Sequence, residues 1–144
     1  MIKRAALAWA AMIPVAITNG IVRETVIRPV VGELPAHQLS VVTGGLGFLG
    51  VTWLLFRHQA VKETDRTLLK VGAAWVIATI AFEFSFGLLA DGKTWSELLH
   101  DYNVFHGRLW PLVLLVIGLA PLTVKHLSRW NAQLHGGRIQ QHMG

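Results

Sequence analysis

The chain has 144 residues, of which 53% are hydrophobic and only 15% are charged, and it contains no cysteine. Ordinary globular proteins carry about 25% charged residues, so this composition excludes an intrinsically disordered chain and argues against a water-soluble monomer. The lack of cysteine excludes disulfides, thiolate metal sites and cysteine nucleophiles. The formal net charge of +5 would indicate nucleic-acid binding only if the basic residues formed one patch or motif.

Four apolar segments are long enough to cross a bilayer as helices, which takes about 20 residues. They are predicted at about residues 5–22, 39–56, 71–90 and 109–124. No small-x-small cleavage site follows the first segment, so we expect it to remain as a helix rather than to be removed as a signal peptide. Glycines at positions 44, 45, 47 and 50 give the second segment a small face for close packing. The sequence therefore predicts an all-α integral membrane protein, a bundle of four transmembrane helices.

The charges are distributed unevenly between the two ends of these segments. Nine of the 13 Lys and Arg residues lie beside one end together with two acidic residues, and the other four lie beside the opposite end with six acidic residues. The positive-inside rule then predicts cytoplasmic termini and outward loops at about 23–38 and 91–108. Because this bias explains the net charge, we expect a lipid bilayer and no nucleic acid as partner. Residues 1–124 form the predicted membrane domain, and 125–144 a basic cytoplasmic juxtamembrane tail.

The end of the first helix carries a cluster of polar residues. If the chain is helical up to Pro29, Glu24 and Arg28 lie one turn apart and can form an ion pair, with Asn19 and Arg23 on the adjacent stripe. Proline disfavours the α conformation in the residue before it. We therefore expect the helix to end at Pro29 and a tight loop to connect it to the second helix.

The second outward loop is predicted to contain a short helix of its own, at about 95–103. Thr94 and Glu97 have the spacing of a capping box. Apolar residues follow at i, i+3, i+4 and i+7, the pattern of one helix face; they are Trp95, Leu98, Leu99 and Tyr102. Asp101 and Asn103 lie on the opposite face. Such a helix is expected to lie along the outer membrane interface.

Glu83 is the one acidic residue inside a predicted membrane segment. A carboxylate at that depth is costly unless it is protonated or paired. By depth, the expected partners are Asn19 and Arg23 on the first helix, then Arg108 before the fourth. Two interpretations stay open: a structural pair that holds the first and third helices in register, or a functional intramembrane acid.

No cofactor is expected, although the histidines raise two alternatives. His37 and His106 begin the second and fourth helices, and His58 and His126 end them. A b-type haem at each face is disfavoured, because the 20 or so residues between them span about 30 Å and leave the rings among the headgroups. A metal site is the other alternative, but its residues match no compact zinc spacing; they would be His37, His100, Asp101 and His106. We interpret the histidines as isolated interfacial residues.

Several phrases of the sequence resemble a family of small four-helix bacterial inner-membrane proteins. They are Asn19-Gly20 with Arg23-Glu24, Ala36-His37 with Leu39-Ser40, Phe82-Glu83-Phe84 with Gly87, Asp101-Tyr102-Asn103, and Gly107-Arg108-Leu109-Trp110-Pro111 with Leu112-Val113-Leu114. The resemblance covers roughly residues 5–124. It implies four membrane helices and a bacterial inner membrane, and it supplies no activity and no catalytic residue.

Three classes of function are compatible with these patterns. The chain contains no nucleophile elbow, phosphate-binding loop or dinucleotide fingerprint, so a non-catalytic accessory or assembly subunit of a membrane complex is the leading expectation, with a protein partner or a homo-oligomer. A protein that binds or transports an anion, a proton or another small ligand is the first alternative, and an intramembrane enzyme acting on a lipid or quinone is the second. The candidate polar site consists of Asn19, Arg23, Glu24, Arg28, His37, Glu83, Asp101, Asn103, His106 and Arg108.

Overall fold

The computed structural model of the chain describes residues 1–89, 92–100, 102–103, 105 and 107–141, with side chains up to residue 134. Its regular elements are α1 Ile2–Val22, a π-helical turn Arg23–Ile27, α2 Arg28–Val31, α3 Glu33–Ala60, α4 Asp65–Leu89, α5 Trp95–His100 and α6 Trp110–Gln141. Four helical stretches are long and apolar enough to cross a membrane: Ile2–Val31, Glu33–Ala60, Asp65–Leu89 and Trp110–Leu134. The predicted all-α fold with four such helices is confirmed.

The first helix continues past Pro29, so the prediction that this proline ends it is wrong. Arg28 is helical, with φ −57° and ψ −41°, and the helix runs on to Val31. A proline ring inside a regular α-helix clashes with the carbonyl four residues earlier. The π-helical turn immediately before Pro29 has a wider hydrogen-bonding ring and accommodates it. The chain reverses at Gly32, whose φ of +87° is a conformation that glycine adopts without strain.

The four long helices are arranged around the bundle in the order α1, α3, α6, α4. α3 packs against α1 and α6, and α6 packs against α4. Two tryptophan side chains join α1 to α4: Trp75 Nε1 donates to Ala5 O at 3.1 Å, and Trp9 Nε1 donates to Thr79 Oγ1 at 3.1 Å. Both links lie in the half of the bundle that contains the N-terminus, so α1 and α4 are held together there.

Glycines set the closest approaches between helices. At the crossing of α4 and α6, a Cβ added to Gly72 would overlap the carbonyl oxygen of Gly118 and would lie 2.7 Å from its carbonyl carbon. On α3, Cβ atoms at Gly44 and Gly47 would lie 2.9 Å from Asn19 Nδ2 and 2.8 Å from Val15 Cγ1 on α1. Gly44 and Gly47 of the predicted small face therefore serve close packing, whereas Gly50 is exposed.

We call the end of the bundle that holds α2 and α5 the α5 end, and the opposite end the tail end. At the tail end α6 continues without a break past residue 124. The buried Lys125 on this helix donates through Nζ to Asp65 Oδ1 at 2.6 Å and to Glu63 O at 2.7 Å. A buried ammonium group requires such partners, so this contact fixes the position of α6 against the start of α4.

Candidate functional site

Alternating ion pairs connect the helix ends at the α5 end. Glu24 accepts from Arg23 Nε at 3.0 Å and from Arg28 Nη1 at 2.6 Å, which confirms the predicted pair of Glu24 with Arg28. Glu33 at the start of α3 pairs with Arg108 Nη2 at 2.5 Å and lies 3.9 Å from Arg28 Nη2. We call these five residues the arginine–glutamate network. It links the π-helical turn to α3 and to the segment that precedes α6.

The network forms one wall of a polar cavity of about 280 Å³. The described residues that line it are all ionisable: Arg23, Glu24, Arg28, Glu33, His37, Lys93, Glu97, His100 and Arg108. Among the described lining residues, four carry a positive charge and three a negative charge, an excess of one positive charge. A concave site lined by arginines favours oxyanions, because each guanidinium presents five N–H donors in a fixed geometry.

A second, mainly apolar cavity of about 260 Å³ adjoins the polar one, and Arg23, His37 and Lys93 line both. Its walls come from all four long helices and from α5. The apolar lining includes Met12, Ala16, Phe48, Phe82, Val113 and Ile117. Its polar lining includes Asn19, Ser40, Glu83, Tyr102 and Trp110. We refer to this space as the apolar cavity.

The apolar cavity opens between α1 and α4. Three of its lining residues are also exposed at the surface: Ile17 on α1 is 49% exposed, and Phe82 and Phe86 on α4 are 36% and 46% exposed. The two phenyl rings stack with centroids 5.9 Å apart. Because the tryptophan links close the same interface in the other half, the opening lies toward the α5 end.

Glu83 is held by aromatic hydrogen-bond donors. Its Oε2 accepts from the Tyr102 hydroxyl at 2.9 Å and from Trp110 Nε1 at 2.7 Å. The expected partners have other contacts: Asn19 donates through Nδ2 to Ser40 O at 2.7 Å, whereas Arg23 and Arg108 pair with acids of the network. Glu83 therefore connects α4 to the beginning of α6 and to the segment after α5.

The structure brings together much of the predicted site. Arg23, Glu24, Arg28, His37 and Arg108 line the polar cavity, and Asn19 and Glu83 line the apolar one. His37 is only 4% exposed, so it is a buried residue between the cavities rather than the isolated interfacial residue expected. Asn103 lines neither cavity; its backbone carbonyl accepts from Arg108 N at 3.4 Å. Asp101 and His106 lie outside the described residues.

Sequence reasoning missed several residues of the two cavities. They are Glu33, Ser40, Lys93, Glu97, Tyr102 and Trp110. The sequence places Glu33 in the predicted loop 23–38 and Tyr102 on the apolar face of the predicted short helix. The sequence signal that points to Tyr102 and Trp110 is the isolated Glu83, because an acid inside a membrane segment requires nearby hydrogen-bond donors. Among the described residues, no group of three or more His, Asp or Glu could hold a metal ion.

α5 covers the α4 side of the site and is shorter than predicted, ending at His100. Its capping box is confirmed: Glu97 N donates to Thr94 Oγ1 at 3.3 Å, and Thr94 N donates to Glu97 Oε2 at 2.7 Å. Leu98 is buried, and its Cδ2 would lie 2.5 Å from a Cβ on Gly87. Glycine at this position of α4 thus leaves the space that the leucine occupies.

The order of α5 is expected to depend on pH through Glu97. Hydrogen bonds from the Thr94 backbone and hydroxyl, with a smaller attraction from Lys93, hold the pKa of Glu97 below its usual value. Because the pKa of Glu97 is lower in the folded than in the unfolded state, its ionised carboxylate stabilises the helix at pH values above the unfolded pKa of about 4.3. This stabilisation is lost as the pH falls through the lower folded pKa. After correction for intrinsic exchange, amide protection of residues 95–100 should decrease on acidification from pH 6 to below pH 4.

Glu97→Gln provides the matched control for this prediction. Its amide keeps the size of the side chain but cannot ionise, so protection of residues 95–100 should be lower than in the wild type at pH 6 and should change less with pH. Equal pH profiles for the two proteins, measured by hydrogen–deuterium exchange mass spectrometry, would contradict the assigned role of the carboxylate.

Comparison of the chain with protein-family models, with curated proteins and with solved structures finds no match.

Proposed function

We propose that the protein is a multi-pass protein of the bacterial inner membrane that binds a small oxyanion at its α5 end. Four helices of suitable length and hydropathy support membrane insertion. The excess of Lys and Arg at the tail end favours cytoplasmic termini and an outward-facing α5 end. The bacterial inner membrane follows from the sequence resemblance. Exposed Trp95 and Leu99 suit a position of α5 along the outer interface.

The observation that carries the binding proposal is the position of Arg23. Its guanidinium lines both cavities and donates to Glu24 through Nε alone. Within the described part of the chain, its terminal nitrogens Nη1 and Nη2 have no hydrogen-bond acceptor. Two parallel N–H donors on one guanidinium match the geometry of a phosphate or carboxylate. The π-helical turn that begins at Arg23 supports the same proposal, because such turns occur frequently at functional sites.

This proposal is tested by calorimetric titration of the protein, in phosphatidylcholine nanodiscs, with inorganic phosphate. We expect saturable binding that weakens about tenfold or more in Arg23→Gln, because a hydrogen bond to a charged group contributes about 1.5–3 kcal/mol. Arg23→Lys should weaken binding less, since it keeps the charge but not the paired donors. Arg66→Gln, at an exposed position of the tail end, is the control and should bind normally.

The non-catalytic accessory subunit, which the sequence alone favours, is the alternative proposal, and a lipid- or quinone-active enzyme is a further one. If phosphate does not bind, or if it binds equally to Arg23→Gln, the oxyanion proposal is wrong. Co-purification with another membrane protein in fixed stoichiometry would then favour the accessory role. The part-buried hydrogen bonds of Glu83 and the ion pair of Arg108 with Glu33 would in that case serve only to hold the helices together.

A further inference from the structure

We infer that the oxyanion is the headgroup of a single-chain lipid, whose hydrocarbon chain occupies the apolar cavity after entering between α1 and α4. This inference rests on the proposed function and specifies its ligand class. It rests on three observations. The polar and apolar cavities share lining residues, the apolar cavity opens between α1 and α4, and the lining changes from charged to apolar from one cavity to the other.

The sizes of the cavities favour a ligand that fills both. Small-molecule sites occupy roughly 300–1,000 Å³, whereas the polar and apolar cavities measure about 280 and 260 Å³. Each alone falls just short of that range, and together they reach it. Arg23, His37 and Lys93 line both spaces, so the two cavities lie side by side, and the inferred ligand extends from one into the other past these side chains.

The chemistry of the lining changes along this combined space. At one end the lining residues that the structure describes are ionisable, whereas at the other the walls are mainly apolar and include Met12, Phe48 and Ile117. A molecule that matches both ends has an anionic head and an apolar chain. The apolar cavity has room for about nine groups of the size of a water molecule, which corresponds to one hydrocarbon chain of moderate length rather than to two.

The opening gives such a molecule a route from the membrane. Ile17, Phe82 and Phe86 border it and are exposed on apolar helices, where lipid chains would surround the protein. A hydrocarbon chain that enters here stays in an apolar environment throughout, while its headgroup moves toward Arg23. The Glu83 carboxylate faces the apolar cavity and disfavours a second anion there, so the headgroup is directed to the polar cavity.

The test compares inorganic phosphate, octyl phosphate and uncharged octyl glucoside as probes, with the protein in phosphatidylcholine nanodiscs. Because the chain contains no cysteine, a dye attached to Lys62→Cys reports binding by microscale thermophoresis. Octyl phosphate should bind the wild type at least about tenfold more tightly than inorganic phosphate, since each buried methylene contributes roughly a factor of four. Octyl glucoside should bind weakly.

Two glycine variants separate the chain site from the headgroup site. Apart from the neighbouring backbone of the same helix, no atom of the described residues lies within 4 Å of a Cβ on Gly20, which lines the apolar cavity, or on Gly50, which is exposed on α3. Gly20→Leu should weaken octyl phosphate about tenfold and leave inorganic phosphate unchanged, whereas Gly50→Leu should alter neither. Ala16→Leu, also in the apolar cavity, replaces Gly20→Leu if that variant does not fold. The nanodisc lipid is the same throughout, so partitioning of the probe cancels between variants.

The possible results distinguish the two proposals. If octyl phosphate and inorganic phosphate bind equally and Gly20→Leu has no effect, the lipid inference is wrong and oxyanion binding stands. If octyl glucoside binds as well as octyl phosphate, and Arg23→Gln changes neither, the anionic headgroup is wrong and the proposed function fails with it. If none of the three probes binds, both proposals are overturned.

Discussion

Gly72→Ala is expected to lower the free energy of unfolding by about 3 kcal/mol or more, the upper end of the range for overpacked cores. The added methyl group would overlap the carbonyl oxygen of Gly118. This obstacle is the backbone of a neighbouring helix rather than the end of a flexible side chain. α4 and α6 must therefore separate, and the contacts on both sides of the crossing are lost.

The measurement is thermal or denaturant unfolding in a mild detergent, followed by tryptophan fluorescence. Gly50→Ala is the matched control, because a Cβ there meets nothing within 4 Å and alanine favours a helix more than glycine does. Gly118→Ala should have an intermediate effect, since its Cβ would lie 3.3 Å from Val76 Cγ2, a side-chain atom that can move. Equal stability of Gly72→Ala and Gly50→Ala would show that the helices do not cross as closely as described.

Glu83→Leu is expected to destabilise the protein by about 2–3 kcal/mol. Leucine removes the acceptor of the Tyr102 hydroxyl and of Trp110 Nε1, and an unsatisfied buried donor costs about 1–3 kcal/mol. We expect the lower part of the combined cost of the two unsatisfied donors, because the side chains of Glu83, Tyr102 and Trp110 are only partly buried. Glu83→Gln retains an acceptor oxygen and should stay within about 1 kcal/mol of the wild type.

A double-mutant cycle with Tyr102→Phe isolates the hydrogen bond. In the Tyr102→Phe background the donor is absent, so Glu83→Leu should cost less than it does in the wild type. Additive effects would contradict a direct bond between the two side chains. Phosphate titration of Glu83→Gln then separates the two interpretations of this residue: a fully stable variant with impaired binding supports a functional acid, whereas unchanged binding supports a structural one.

The existence of the four long helices could be predicted from the sequence because hydropathy averaged over 20 residues is a strong signal. Their ends could not. Residues 33–38 are polar enough to suggest a loop, yet they form the first turns of α3, where Ala36 and His37 are buried. Tertiary burial decides such positions. At Pro29, the π-helical turn allows the helix to continue although the residue before a proline usually disfavours the α conformation. No periodicity in the sequence predicts this turn.

Many residues of the candidate site could be predicted from the sequence, but most of the contacts between their side chains could not. Glu24 and Arg28 could be paired because they are four residues apart on one helix. Glu33 and Arg108 are separated by 75 residues, and only the packing of α3 against α6 brings them together. Glu83 was recognised as a residue in need of partners, but matching it by depth favoured cations. The partners of Glu83 include a phenol and an indole, those of Tyr102 and Trp110. Because these groups carry no charge, a search for cations does not find them.

The π-helical turn has a consequence for the register of the positive charges around the polar cavity. In a regular α-helix, five residues correspond to about 500°, so Arg23 and Arg28 would point in directions roughly 140° apart. The Arg28 backbone N–H instead bonds to Arg23 O, which stacks the two residues, and Glu24 contacts both side chains. The single inserted residue of the π-helical turn thus makes neighbours of two cations that are five residues apart. Deletion of one residue between them would restore a regular α-helix in which they still lie one turn apart, in directions that differ by about 40°.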